Sequence, residues 1–401
     1  MLKFTERKSD CTGCSACYSI CPQKCISMVP DKEGFLYPIA SDNCIDCGLC
    51  EKICPINNPK QCYDEIQQHE CYAAVTNSID TWKASASGGA FSEICNAWGD
   101  SETLIVGAAW DGLRVHHIGV LGPENIAPLR KSKYVFSDME NVFTQIRDHL
   151  KLNKKVIFSG TPCQVAGLKS FLRKDFEKLL TIDLICHGGG SPSVFSTCMD
   201  IYKDEFGEDV VSYGFRAKGN QYIADAISYV QTQTTKRLYF NDRYNQLFYR
   251  QLVLRPSCGE FCRFRNSRRQ GDITIADFKS LSKVFPKLGG ENVNYSTIVF
   301  NSAKSRVVKP YILSSMRCIE CEEKTVIKNN PLFAGQTLSN TAERDVFFAD
   351  YEQNTKNAIL SRTHHVNEMR LSLKRRLYLS LPKYIRVAIN MFFNLKQTLR
   401  T

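Results

Sequence analysis

The chain has 401 residues, of which 43% are hydrophobic and 23% charged, with a formal net charge of +11. This balance is typical of a globular protein that buries a substantial core, and it argues against a disordered chain. The apolar runs are too short for a helix that spans a membrane, which excludes an integral membrane protein of that kind.

Eight of the 19 cysteines form two copies of one spacing within the first sixty residues. Three thiolates two residues apart bind one cubane 4Fe-4S cluster, while the fourth, held before a proline (Pro22 or Pro55), binds the other cluster. The first cluster is therefore predicted to be held by Cys11, Cys14, Cys17 and Cys54. The second cluster is predicted to be held by Cys44, Cys47, Cys50 and Cys21.

A zinc site or a disulfide framework explains this repeat less well. Two CxxC knuckles supply all four zinc ligands, so the other cysteines of each run would be surplus. No signal peptide precedes the motif, and thiols at this density suit a reducing cytosol, which predicts a cytoplasmic protein. Cys25 lies outside the pattern and is predicted to be a buried filler. Residues 1–60 resemble a bacterial two-cluster ferredoxin domain.

Residues 57–70 are polar and are predicted to be a linker, after which a folded unit resumes near Cys71. Strand-like runs then alternate with helical patterns, which predicts an α/β domain with both faces of its sheet covered. The predicted strands are 103–110, 155–159, 180–185, 272–277 and 296–300, and the predicted helices are 90–98, 141–150, 162–172 and 192–206. Residues 210–240 look antiparallel, which would make the sheet mixed.

Two glycine-bearing turns precede predicted helices. The segment from Ser85 to Gly89 ends in paired glycines, which at a helix N-terminus expose amide groups to a phosphate or an anionic flavin. The Ser159-Gly160-Thr161 turn leads into Pro162 and Cys163, which places a thiol at a helix N-terminus. Such turns are structural connections about as often as ligand sites.

Four further cysteines are candidates for a third metal centre. Cys163 follows a strand-to-helix turn, Cys186 ends the next predicted strand, and Cys258 and Cys262 form a hairpin-like C-x3-C pair. These positions converge on one centre at the carboxyl edge of the sheet, where α/β folds bind ligands. Burial of all four as small apolar fillers explains the spacing about equally well.

Five motifs in order along the chain resemble the coenzyme F-420 hydrogenase/dehydrogenase beta-subunit family over roughly residues 70 to 305. They are Ser87-Gly88-Gly89, Ser132-Lys133-Tyr134, the segment from Ser159 to Leu168, the segment from Asp183 to Gly188, and the segment from Gly271 to Phe278. The resemblance implies an FAD-binding core that exchanges electrons with iron–sulfur clusters. It also implies a third 4Fe-4S cluster, for which the matching candidates are Cys163, Cys186, Cys258 and Cys262.

The same resemblance supplies candidate cofactor contacts and catalytic residues. The expected FAD contacts are Ser85, Ser87, Gly88, Gly89, Ser132, Lys133, Tyr134, Ser159, Gly160 and Thr161. Lys133 is the candidate for stabilising the reduced flavin, and a solvated surface lysine is the alternative. His187 is the candidate proton shuttle near neutral pH, and a hydrogen-bonded structural histidine is the alternative.

Two departures from the family pattern concern the third cluster and the substrate pocket. The pair Cys258 and Cys262 is one residue longer than CxxC, which makes the geometry of that cluster less secure. Asp277, Phe278 and Lys279 stand where an aromatic run is expected, so the substrate pocket is expected to differ.

The last forty residues carry nine Lys or Arg against one acid, Glu368. Apolar residues in this tail give basic helices an apolar face, broken at Pro382. Such a tail suits an anionic membrane surface or an acidic partner, and packing on its own domain is an equal alternative. Nucleic-acid binding fits less well, since no recognisable fold or base-stacking motif accompanies the charge.

The sequence thus predicts a ferredoxin-like domain at 1–60, a mixed-sheet α/β flavin-binding domain at 71–360 and a basic helical tail at 361–401. The expected function is an FAD- and 4Fe-4S-dependent oxidoreductase. It exchanges electrons with a deazaflavin or another organic substrate and with a redox partner protein. The alternative is a non-catalytic electron relay or scaffold that docks a partner, or the inner face of the membrane, through the tail.

Overall fold

A computed structural model describes residues 7–59, 69–217, 227–259, 262–279, 281–284, 293–336 and 341–364. Most of the predicted linker, at 60–68, and most of the predicted tail, at 365–401, lie outside these ranges. The strands are β1 (Ile26–Pro30), β2 (Leu36–Ala40), β3 (Glu70–Thr76), β4 (Leu104–Asp111), β5 (Arg114–Leu121), β6 (Val156–Gly160), β7 (Leu179–Leu184), β8 (Ser212–Gly214), β9 (Ile227–Gln231), β10 (Lys236–Phe240), β11 (Ile273–Phe278), β12 (Tyr295–Phe300) and β13 (Met316–Cys321).

The helices begin with two short ones in the cysteine-rich region and continue through the large domain. They are α1 (Ala16–Ile20), α2 (Leu49–Lys52), α3 (Ile79–Ala84), α4 (Ala90–Trp98), α5 (Val142–Lys151), α6 (Pro162–Leu172), α7 (Pro192–Phe206), α8 (Arg243–Tyr249), α9 (Leu281–Val284), α10 (Ala303–Arg306), α11 (Lys309–Ser315), α12 (Glu323–Asn329), α13 (Thr341–Gln353) and α14 (Thr355–Leu360). Among the described residues, no helix combines the length and the apolar character needed to cross a membrane.

An eight-stranded sheet in the order β13-β3-β12-β11-β7-β6-β4-β5 forms the centre of the large domain. The inner strands β4, β6, β7 and β11 are parallel to one another. The outer strands β5, β12, β3 and β13 pair antiparallel with their neighbours. The predicted mixed-sheet α/β architecture is therefore confirmed.

Helices cover both faces of this sheet, as the alternation of side chains along the strands requires. On β4, Ile105 packs in one apolar cluster with Ile94 of α4, whereas its neighbour Val106 packs in another with Phe143 of α5. On β6, Ile157 joins the first of these clusters. Each strand thus contributes to two cores, and the order of parallel strands brings their carboxyl ends to a common edge.

The prediction for residues 210–240 was wrong about how they enter the fold. Strands β8, β9 and β10 form a separate three-stranded antiparallel sheet. Its buried side chains, such as Tyr213 and Val230, pack against Phe195 of α7 and Phe248 of α8. The mixed character of the large sheet instead arises from the antiparallel pairs β4–β5 and β11–β12 and from the antiparallel pairing of β3 with β12 and β13.

The cysteine-rich region packs directly on the large domain. Helix α1 contacts α6, and the Ser191 hydroxyl donates to the backbone oxygen of Glu33 at 2.5 Å. The carboxylate of Glu33 forms an ion pair with Arg344. Because Glu33 and Arg344 are both largely buried, this contact fixes the orientation of the N-terminal region against the sheet domain.

Candidate functional site

Both copies of the cysteine repeat share an unusual backbone conformation. The residues just before the second cysteine of each copy, Gly13 and Asp46, have φ of 69° and 49°. The residues just after it, Ser15 and Gly48, have φ of 61° and 69°. Left-handed residues on both sides of a cysteine curl the chain tightly, which turns successive groups toward a common space. The repeat in sequence is therefore also a repeat in structure.

The first predicted cysteine group surrounds a small cavity. Its lining includes Cys11, Cys14, Cys17 and Cys54, so the structure brings the distant Cys54 to the three cysteines of the first run. Burial, with the neighbouring Cys54 and Cys11, raises the pKa of the Cys14 thiol to about 12. Thiols in such a setting ionise only when a cation compensates them, and iron does so. The donor set fits an iron–sulfur cluster.

The second predicted group lies nearer the surface. Cys44 and Cys47 are exposed, and Cys50 is partly exposed. Cys21 approaches this group through Cys25, whose sulfur lies 3.3 Å from the sulfur of Cys21. The hydrogen bond with Cys21, with smaller effects that include the charge of Cys44, raises the pKa of Cys25 to about 11. Cys25 is buried as predicted, but it also contacts a predicted ligand.

The third predicted group comes from three separate parts of the large domain. Cys163 begins α6, Cys186 follows β7, and Cys258 ends a short 3-10 helix at Pro256–Cys258, where a hairpin-like turn was predicted. Burial, with the nearby thiolates of Cys258 and Cys262, raises the pKa of Cys186 to about 12. The charges of Cys258, Cys186 and Cys262 likewise add to burial in raising the pKa of Cys163. The structure therefore brings all four candidates together.

Polar contacts support this third group. The amide of Gly189 donates to the sulfur of Cys258 at 3.4 Å, and the hydroxyl of Thr161 lies 3.1 Å from the sulfur of Cys163. The buried guanidinium of Arg265 donates to the backbone oxygen of Cys258 at 2.7 Å. Hydrogen bonds and positive charge around cysteine sulfurs favour the thiolate form, as a cluster site requires. Within the described ranges, no three His, Cys, Asp or Glu side chains are arranged to bind a single metal ion.

The first and third groups are neighbours. Cys54 of the first group packs in one apolar cluster with Cys163 and Cys262 of the third. The buried residues at the centre of that cluster are Ile56, Ala166 and Phe264. One small apolar cluster therefore contacts cysteines of both candidate centres.

A cavity of about 480 Å³ opens beside the third group, at the carboxyl edge of the sheet. Cys186 and His187 form part of its wall. Nine of the ten expected FAD contacts also line it, namely Ser85, Ser87, Gly89, Ser132, Lys133, Tyr134, Ser159, Gly160 and Thr161. The motifs that are scattered along the sequence thus meet around one space.

Gly88 is the expected contact that does not line the cavity. Its amide donates to the hydroxyl of Ser296 at 2.9 Å, and its carbonyl accepts from the amide of Thr76. A Cβ atom at this position would lie 2.3 Å from the backbone oxygen of Ala74. Gly88 is therefore required for close packing on β3 and β12. The sequence suggested that its amide is exposed to a ligand, but the amide is bonded to Ser296 instead.

The charge of the cavity wall is strongly positive. Five lining residues are Lys or Arg, namely Arg130, Lys131, Lys133, Arg216 and Lys279. Among the described lining residues the one acid is Asp277, whose carboxylate oxygens accept from Arg216 at 2.6 and 2.7 Å. A concave wall with this charge favours an anionic ligand.

Lys133 is held by the backbone. Its ammonium donates to the carbonyl oxygens of Ala108, Pro128 and Arg130 at 2.8, 3.0 and 2.7 Å. Burial, with a smaller effect of the Lys131 charge, lowers the pKa of Lys133 to about 7. In the ammonium form all three donor protons are already used, so Lys133 offers the cavity no free hydrogen-bond donor.

His187 lies in the wall with its Nε2 atom buried and without a hydrogen-bond partner among the described residues. Its ring contacts the rings of Phe248 and Tyr249, with centroids 5.2 and 6.4 Å apart. Burial, with the charges of Arg265 and Lys279, lowers the pKa of His187 to about 4. The imidazole is therefore neutral at pH 7, whereas the sequence suggested a histidine that gains and loses a proton near neutral pH.

The sequence did not single out His117, a buried lining residue on β5. Because a carbonyl only accepts, Nε2 of His117 donates to the Ser159 oxygen at 3.2 Å. Nδ1 then accepts from the Ser137 hydroxyl at 2.9 Å, and that hydroxyl accepts from the Gln164 amide at 3.0 Å. The Gln164 oxygen accepts from the Thr161 amide at 2.9 Å. This series of hydrogen bonds holds the Ser159-Gly160-Thr161 turn in place. No spacing motif in the sequence indicates these bonds.

His117, the histidine in this series of hydrogen bonds, is expected to make the stability of the protein depend on pH. Burial lowers the pKa of His117 from 6.5 to about 4, so the unfolded chain binds the proton more readily and stability falls as the pH drops below 6.5. Between pH 7 and pH 5 we expect the native protein to lose about 2 kcal/mol more unfolding free energy than a His117→Gln variant. Anaerobic urea unfolding at both pH values measures this difference.

Two outcomes define that test. His117→Gln can keep both hydrogen bonds without titrating, whereas His117→Leu removes the His117 partner of the Ser159 oxygen and of the Ser137 hydroxyl proton and is expected to cost about 1–3 kcal/mol at pH 7. Equal pH slopes for the native protein and His117→Gln would contradict a neutral, buried His117.

Family comparisons agree with the two parts of the fold. A family described as the C-terminal part of the coenzyme F420 hydrogenase/dehydrogenase beta subunit matches residues 153–324, and a 4Fe-4S dicluster domain matches residues 10–58. The resemblance carried by the sequence motifs is thus confirmed. The chain thus combines a region similar to a 4Fe-4S dicluster domain with a region similar to the C-terminal part of the coenzyme F420 hydrogenase/dehydrogenase beta subunit.

Individual relatives match over short segments. The NADH-quinone oxidoreductase subunit I 2 of Geobacter metallireducens is 34% identical over 62 residues, which are 14% of this chain and 47% of that protein. The 7Fe ferredoxin of Hydrogenibacillus schlegelii is 42% identical over 43 residues, which are 11% of this chain and 50% of that protein. The chain therefore spans about half the length of these curated relatives.

Among solved structures, the xenon-derivatised F420-reducing NiFe hydrogenase complex of Methanosarcina barkeri contains a similar chain. The match covers 74% of this chain and 93% of that chain, with 14% sequence identity and a TM-score of 0.43.

Proposed function

We propose that this protein is an FAD-dependent oxidoreductase with three 4Fe-4S clusters, which carries electrons between a redox partner protein and an organic substrate. The observation that carries the proposal is the continuity of the sites. Cys54 of the first cysteine group packs with Cys163 and Cys262 of the third, and Cys186 of the third lines the basic cavity. Electron transfer needs such an unbroken series of neighbouring centres.

The cluster ligands follow the groups that the structure brings together. The first cluster is assigned to Cys11, Cys14, Cys17 and Cys54, the second to Cys21, Cys44, Cys47 and Cys50, and the third to Cys163, Cys186, Cys258 and Cys262. Because Cys44 and Cys47 are exposed, the second cluster is expected at the surface. The redox partner is therefore expected to exchange electrons there.

FAD is assigned to the basic cavity. When bound, it would exchange two electrons with the substrate and single electrons with the clusters. The lining residues Arg130 and Lys131 compensate the charge of its pyrophosphate. The turn at Ser159, Gly160 and Thr161 presents backbone to the ligand and is held in shape by the chain of bonds from His117. Lys133 sets a positive charge in the wall.

The substrate is placed at the part of the cavity that FAD contacts do not account for. There the paired Arg216 and Asp277 lie with Tyr249 and Lys279. An aromatic wall with adjacent charges suits a planar organic molecule that carries a negative charge, and a deazaflavin is one such class. The domain boundaries proposed with this function are 1–60, 71–360 and 361–401. The proposed contact of the tail with a membrane or a partner rests on residues that lie mostly outside the described ranges.

Anaerobic purification of the full chain, followed by iron, sulfide and flavin quantitation on one sample, tests the proposal. About twelve irons and one FAD per chain are expected. About eight irons without flavin would overturn it, and would favour a non-catalytic relay that uses the ferredoxin region alone.

A further inference from the structure

Arg255 is the largest fully buried side chain among the described residues, with 0% of its surface exposed. It lies three residues before Cys258 of the third cysteine group and reaches into the cysteine-rich N-terminal region. Gly13 makes room for it, since a Cβ atom at Gly13 would lie 2.9 Å from Nη1 of Arg255. The sequence thus keeps a glycine in the first cysteine run where the arginine approaches.

The guanidinium of Arg255 contacts the first cysteine group directly. Nε donates to the backbone oxygen of Cys11 at 2.9 Å, and Nη2 lies 3.6 Å from the sulfur of Cys11. Nη2 also donates to the backbone oxygen of Leu36 at 3.0 Å, while Nη1 is buried without a hydrogen-bond partner among the described residues. The rings of Phe35, Tyr37 and Phe136 surround the group at 5.4, 4.2 and 5.2 Å.

No described carboxylate neutralises this buried cation. Asp31 pairs with Lys8, and Glu33 pairs with Arg344, so both acids of the β1–β2 hairpin already have a cationic partner. An arginine does not lose its proton in a protein, and a buried charge without a partner is strongly unfavourable. Aromatic faces and carbonyl oxygens compensate only part of that cost. The site therefore calls for an anion beside Cys11.

We propose that Arg255 is the internal counter-charge of the first cluster and raises its reduction potential. The inference rests on the assignment of Cys11, Cys14, Cys17 and Cys54 to that cluster. Four thiolates give a 4Fe-4S cluster a net negative charge, and one-electron reduction adds another negative charge to its irons without making or breaking a bond. A fixed positive charge nearby favours the reduced state.

The second cluster has no such partner in the described contacts. The sulfur of Cys44 faces the carboxylate of Asp46 at 3.7 Å, and both Cys44 and Cys47 are open to water. Solvent screens charge at an exposed cluster, whereas the buried Arg255 acts in a medium that screens little. The positive charge of Arg255 therefore acts on the first cluster much more than on the second, despite their matched ligand spacing.

Redox titration of the anaerobic full-length protein, followed by electron paramagnetic resonance, tests the proposal. For Arg255→Met we expect the ratio of reduced to oxidised first cluster to fall at least tenfold at a fixed potential, which is about 59 mV for one electron. Arg255→Lys keeps the charge and is expected to stay within about threefold of native. The exposed Arg147 provides the control Arg147→Met, which should leave both clusters unchanged.

The alternatives separate clearly. An unchanged ratio in Arg255→Met with full iron content overturns the counter-charge. If Arg255→Met loses four irons, the Arg255→Lys variant separates the two explanations. Native iron content and potential in Arg255→Lys support the role of charge, whereas loss of iron in Arg255→Lys as well shows that Arg255 has a packing role instead. Absence of two low-potential signals in the native protein would refute the cluster assignment itself, and flavin content measured on the same samples reports separately on the proposed FAD site.

Discussion

Cys186→Ala is expected to lower the iron content of the anaerobically purified protein from about twelve to about eight per chain and to stop electrons reaching the cavity. Cys186 is the member of the third cysteine group that also lines the cavity wall. Its removal takes away both a cluster ligand and the point where the cluster meets the flavin. Flavin should remain bound, because the residues of the Ser159 turn and the basic wall are untouched.

Iron and sulfide quantitation measures the first effect, and reduction of bound flavin by a reduced low-potential donor measures the second. Cys318→Ala is the matched control, since Cys318 lies on β13 at the far edge of the sheet order. Burial raises the pKa of Cys318 to about 11, as expected for an unreactive packed thiol. Native iron content in Cys186→Ala would remove the case for a third cluster.

Gly167→Val is expected to displace the first cluster, because helix α6 approaches that cluster at a position where only glycine fits. A Cβ atom at Gly167 would lie 2.7 Å from Cβ and 2.9 Å from the sulfur of Cys14. Forcing a side chain into such a contact costs about 1–3 kcal/mol, and here the atoms that must yield belong to a predicted ligand. We expect loss of about four irons, with the second and third clusters retained.

The iron content and the number of paramagnetic signals in the reduced protein measure this outcome. Lys169→Val places the same residue in the same helix and separates the low helix propensity of valine from the collision with Cys14. Retention of the full set of cluster signals in Gly167→Val would show that α6 does not constrain the first cluster.

Much of the fold was predictable because local patterns carried it. The predicted helices at 90–98, 162–172 and 192–206 match α4, α6 and α7 residue for residue. Proline at the first position and a capping residue define the start of α7, where Ser191 accepts from the amide of Val194, and Gly207 ends it in the left-handed conformation. Such signals lie within one or two turns of the element that they define.

The outer strands were less accessible to sequence reasoning. β3 pairs with β12 and β13, which lie more than two hundred residues later in the chain. Residues 210–240 were correctly seen as antiparallel, but no local pattern says which sheet a strand joins. Burial against α7 and α8 decided that they form a sheet of their own.

By itself, the sequence determined the cysteine spacing, the alternation of strands and helices and the order of the motifs, since each of these depends on residues close together in the chain. Only the tertiary structure decided that Cys54 and Cys163 pack against one apolar cluster, that Lys133 is held by three carbonyls, and that Arg255 lies against Cys11. The reason is physical: the burial and charge environment of a polar group are set by residues from distant segments, and no spacing motif records them.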